Sequence, residues 1–143
     1  VGDATGTRRA AELTLKRAEV ILAHDPNNTS VIAYSVDALA AMGEAERAKA
    51  RVERALLIDP DNWNMRYNFA CMLSVRLRDK DAALGILAPL FETVSDAFLP
   101  YAKADPDLEL LRDDPRYIAI VAAAEARLAA AKGSPQSEAT SHG

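Results

Sequence analysis

Cysteine occurs once in the 143 residues, tryptophan once and histidine twice. A lone cysteine closes no disulfide within the chain, and with two histidines beside it there is too little ligand material for a structural metal site. Glycine is sparse, and none of it forms the spaced cluster that cradles a phosphate. No apolar run approaches the roughly 20 residues that cross a bilayer, and no signal-peptide pattern follows Val1. Aromatic residues make up 6% and β-branched residues are few, which argues against a sheet. A positive balance is missing too. At a net charge of −4 the chain lacks the phosphate-neutralising term that dominates nucleic-acid binding. What it has is alanine, about a fifth of all residues, a composition suited to closely packed helices in one domain. An all-α fold is expected, without cofactor or metal, in contact with neither nucleic acid nor membrane. The first residue is Val1 rather than Met, so the chain reads as an excised piece of a longer polypeptide.

An internal repeat supplies the organisation. Pro26 and Pro60 stand 34 residues apart in matching surroundings, Asp25-Pro26-Asn27-Asn28 and Asp59-Pro60-Asp61-Asn62. Ala48 and Ala82 share the same spacing, each in the first turn of an apolar-periodic stretch. In the unit from residue 29 to 62, Gly43 divides two helices, Ala48 sits at their crossing, and Pro60 stops the second. The unit from 63 to 96 keeps Phe69, Ala70 and Leu73 on its first helix, and Ala82, Ile86 and Leu90 on its second. It carries Leu77 where Gly43 stood, and Pro89 predicts a bend or an early end.

Incomplete units flank the pair. Ala11, Leu15, Ala18 and Leu22 are spaced for one face of a helix from Arg8 to about Ala23, a half repeat over 8–28 preceded by a linker, 1–7. Residues 97–104 take the place of a further first helix, shortened by Pro100. Asp105-Pro106 and Asp114-Pro115 are helix-start signatures, predicting helices from Pro106 to Leu111 and from Pro115 to Lys132. Ile118, Val121, Ala122, Ala126 and Leu128 are the expected buried face of the last helix, and residues 133–143 a disordered tail.

A 34-residue period of helix pairs with these small residues and prolines resembles the tetratricopeptide repeat (TPR) family. The string Phe98-Leu99-Pro100-Tyr101-Ala102-Lys103-Ala104-Asp105-Pro106, continuing to Tyr117, is similar to the closing segment of TPR regions in bacterial class III adenylate and guanylate cyclases and related multidomain regulators. The resemblance covers about residues 8–130. It implies a right-handed α-α superhelix (solenoid) of about seven helices, cytoplasmic, that binds a protein or peptide, the parent's own catalytic domain included. Self-association is the alternative. No catalytic residue carries over, since nothing resembles a cyclase catalytic domain, and His24, Cys71 and His142 form no nucleophile pair.

The resemblance also implies that first helices line a concave groove. Ser30, Ala33, Asp37 and Ala40 are then its candidates in one unit, and Asn64, Tyr67, Asn68, Cys71 and Ser74 in the next. Continuing the register brings Phe98 and Tyr101 to the places of Asn64 and Tyr67, so Tyr101 either forms a second rung beside Tyr67 or packs under the closing helices. Cys71 fills space better than it reacts. Chaperone-type capture of a C-terminal carboxylate is not expected, because Asn68 alone matches that pattern and the lysines are absent. Arg47, Arg51 and Arg54 read as a solvated face, with steering of another module by a basic end and an acidic end as the alternative.

Overall fold

Two turns of one design open the first helices of the central units. Asn28 Oδ1 accepts from the amide of Val31 at 3.1 Å, while its Nδ2 donates to Asp25 Oδ2 at 3.2 Å. Asn62 repeats both bonds, accepting from Met65 N at 3.0 Å and donating to Asp59 Oδ2 at 3.0 Å. Each asparagine satisfies an amide that the helix cannot and ties itself to the aspartate ahead of the proline. The repeated Asp-Pro-x-Asn is therefore a helix stop and a helix start in one.

The computed structural model describes residues 3–133, which are all-helical without a strand. The order is α1 (Asp3–His24), α2 (Thr29–Ala41), α3 (Ala45–Ile58), α4 (Trp63–Val75), α5 (Lys80–Phe91), α6 (Phe98–Ala104), a 3-10 helix (Pro106–Leu111) and α7 (Pro115–Lys132). The first helix begins at Asp3 rather than Arg8, so most of the expected linker is helical. The expected tail from residue 134, with His142, lies outside the described residues. Helix α2 packs against α1, α3 and α4, while α4 packs against α5 and the 3-10 helix, and α7 lies on α5. Ala48, Ala55, Ala70, Ala83 and Ala102 are wholly buried, where a larger side chain would hold the backbones apart. Pro89 sits in the last turn of α5, and the helix ends at Phe91.

The 34-residue register holds for the first helices but not the second. Both ends of α4 stand 34 residues after those of α2, yet Ala45 and Lys80, which open α3 and α5, are 35 apart. The extra residue is in the turn. Gly43, at φ +78°, has its counterpart in Arg78, at φ +51°, and not in Leu77. Backbone bonds agree: Glu44 N donates to Leu39 O at 2.9 Å, and Asp79 N to Leu73 O at 3.0 Å. In consequence Ala48, Val52 and Ala55 of α3 recur as Ala83, Leu87 and Leu90 of α5, all buried. Ala82, expected at the crossing, is only half-buried there.

Beyond α5 the aspartates act as foreseen from their prolines. Asp105 Oδ1 accepts from Asp107 N at 3.0 Å, and Asp114 Oδ1 from Arg116 N at 2.9 Å, capping the 3-10 helix and α7. The inner face of α7 is Tyr117, Val121 and Ala124, whereas Ile118, Ala122 and Ala126 are exposed. Two contacts set that rotation. The Tyr117 ring packs on Phe91 at 6.3 Å, and Arg127 Nη2 donates to the carbonyls of Val94 (2.6 Å) and Phe91 (3.3 Å).

Candidate binding groove between the first helices

Residues four apart on a helix share a face, and on α4 the outward stripe is Asn64 and Asn68, continued by Val75. On α2 it is Ser30, Tyr34 and Asp37. Between the two helices lies a cleft of about 320 Å³, with Ser30, Ala33 and Tyr34 on one side and Asn64, Asn68 and Phe69 on the other. Every residue lining it is uncharged. At the far end of the helices, Asp37 accepts from Arg76 Nε at 2.9 Å, a bridge between the same two elements. Asn28 and Asn62 spend their side chains on caps. Among the described residues, Asn64 and Asn68 have no such engagement. Sequence reasoning missed Tyr34, which is 66% exposed, although it stands 34 residues before Asn68.

The neighbouring stripe of α4 belongs to the core, which corrects three expected groove positions. Tyr67, Cys71 and Ser74 are buried, as is Ala40 on α2. Their cover is the chain around Asp105. Tyr67 Oη donates to Asp105 Oδ2 at 2.6 Å, and Cys71 Sγ lies 3.9 Å from the same oxygen. Arg112 holds that segment, donating to the carbonyls of Lys103 and of Asp105, the latter at 2.6 Å, and to Glu109 Oε2 at 2.6 Å. Burial and the bond to Asp105 keep the Tyr67 phenol above the ordinary tyrosine range. Burial, then the Asp105 charge, pushes the Cys71 thiol up to about 12.

Sulfur and carboxylate oxygens of Cys71, Asp105 and Asp107 lie within 4.8 Å of one another, the donor spacing of a metal site. The chemistry does not suit one. The thiol stays protonated, and the Asp105 oxygens are occupied by Tyr67 and by the amide of Asp107.

Aromatic rings continue the groove side toward α6. Trp63 stacks on Tyr67 with centroids 5.5 Å apart, Phe98 meets Trp63 edge-on at 4.6 Å, and Tyr101 lies 5.1 Å from Phe98. Tyr101 does not pack under the closing helices; it is 61% exposed. It is also no twin of Tyr67, because one ring is open to solvent and the other is sealed.

A larger recess of about 540 Å³ runs between α6 and α7, floored by Leu99 and Leu128. Lysines flank it in ion pairs, Lys103 with Glu125 at 2.9 Å and Lys132 with Asp96 at 3.6 Å, so its polar groups are already engaged. The arginines of α3 brace the fold: Arg51 pairs with Glu19 of α1, Arg54 Nη2 donates to Pro26 O at 2.9 Å, and Arg47 lies 3.9 Å from Glu44. Comparison with protein-family models, with curated proteins and with solved structures finds no match for the chain.

Proposed function

We propose that the chain is a non-catalytic protein-interaction module of the TPR kind, which holds an extended peptide in the cleft between α2 and α4. The reading that it regulates or scaffolds a bacterial signalling protein such as a nucleotide cyclase, docking on that protein's own catalytic domain, rests on the sequence resemblance. The peptide reading rests on one observation above all: Asn64 and Asn68 stand unengaged, one turn apart, on the wall of an uncharged cleft. Amide side chains offer both a donor and an acceptor, which is what a peptide backbone needs. An alanine-rich helix gains nothing by exposing two asparagines on one stripe unless they meet a partner.

A displayed library of random peptides tests this. Sequences enriched on the wild-type chain are expected to lose at least tenfold in affinity on Asn64→Ala/Asn68→Ala, about 1.4 kcal/mol. Enrichment indifferent to both asparagines would sink the reading.

A further inference from the structure

Resting on the peptide-groove reading, we infer that the ligand is an uncharged, proline-rich segment held in the polyproline II conformation.

The wall of the cleft, in a chain of which 27% is charged, has no charged side chain. The nearest opposite charges, Asp37 and Arg76, satisfy each other. A charged ligand residue entering there would lose its water without gaining a counter-ion. The polar groups on the wall point the same way. Hydroxyls of Ser30 and Tyr34 and the amides of Asn64 and Asn68 all donate, while carboxylate, the pure acceptor, is missing from the lining. Proline brings a carbonyl and no N–H. A proline-rich chain thus needs donors and little else, whereas an ordinary extended peptide also needs acceptors for its amides.

Spacing agrees. Four residues of an α-helix advance about 6 Å, and two residues of polyproline II advance about 6.2 Å. Asn64 and Asn68 therefore fall opposite carbonyls two residues apart on a ligand lying along α4. Aromatic surface supplies the rest. Tyr34 stands across the cleft, and Trp63, Phe98 and Tyr101 carry ring surface on from the start of α4 to α6. Tyr34 and Tyr101 leave 66% and 61% of their surface uncovered. Flat aromatic faces beside hydrogen-bond donors are the combination that grips pyrrolidine rings, and the ligand's conformation is already set before it binds.

Trp63, the single tryptophan, adjoins Asn62 and Asn64 of the wall and reports occupancy by its fluorescence. An uncharged peptide of about ten residues with proline at every second or third position, and its counterpart with alanine for each proline, are titrated into the full chain. The proline peptide is expected to give a saturable change in emission and to bind at least about tenfold tighter than the alanine peptide. Tyr34→Ala, checked as folded by circular dichroism, should weaken it by about tenfold. Equal binding of the alanine peptide, or library sequences that depend on Asn64 and Asn68 yet lack proline, overturns the inference and leaves the groove reading standing. If the two peptides and the library sequences all fail to bind through those asparagines, both fall.

Discussion

Helix pair α2–α3 and helix pair α4–α5 start from the same cap and are closed in different ways. The stripe of α2 that holds Ala33 and Asp37 stays partly open: Ala33 lines the cleft and Asp37 reaches solvent beside Arg76. The equivalent stripe of α4 holds Tyr67 and Cys71, and Asp105 arrives from the far side of α6 to seal it. The turns differ as well, Gly43 in one and the longer Leu77-Arg78 in the other, and that single residue decides which side chains of the second helix are core. Repetition in the sequence thus fixes where helices begin. Turn length and cover decide what each face becomes.

The largest expected effect breaks the closure of the second pair. Asp105→Ala strands a buried phenol and removes a helix cap, which together cost about 3 kcal/mol, read as a lowered urea midpoint. Asp37→Ala, at the open counterpart of Cys71, loses only a surface pair and should cost under about 0.5 kcal/mol. Equal losses would mean that the two stripes are not differently covered.

The register of the second helices is the next target. Ala83→Leu forces a large side chain into a closed crossing and should cost about 2 kcal/mol, while Ala82→Leu, on a half-buried site, should cost well under about 1 kcal/mol. Thermal melting of the two variants decides between a spacing of 35 and one of 34, since the reverse order would restore Ala82 to the crossing. The smallest effects concern the turns. Gly43→Ala at φ +78°, with open space around the added methyl, carries a purely conformational cost of about 1 kcal/mol. Arg78→Gly should add about 0.5–1 kcal/mol by relieving its left-handed backbone. Guanidinium unfolding in which both changes destabilise would count against the equivalence of the two turns.

Much of the helical framework was legible. Each Asp-Pro pair marks a helix start or stop because its chemistry is local: a carboxylate or amide reaches an amide two or three residues away. The extra turn residue was hidden, since an arginine in the left-handed region carries no glycine to flag it. The rotation of α7 was hidden for another reason. Alanine lies on all sides of that helix, so its apolar pattern has little direction, and Tyr117 and Arg127 choose the face through partners far along the chain. On the groove, Ser30, Ala33, Asn64 and Asn68 follow from the helical register alone. Tyr67 did not, because its fate depends on a hydrogen bond to a residue 38 positions later.

That bond also has a bearing on how the chain is made. Proteins leave the ribosome from their N-terminus at roughly 5–20 residues per second. By the time Asn62 has emerged, α2 and α3 have every group that caps and joins them. Helices α4 and α5 are complete soon afterwards, yet the phenol of Tyr67 still lacks its acceptor. The second pair must wait, with a polar group facing the water that it will later exclude, until Asp105 and the arginine brace behind it have been synthesised.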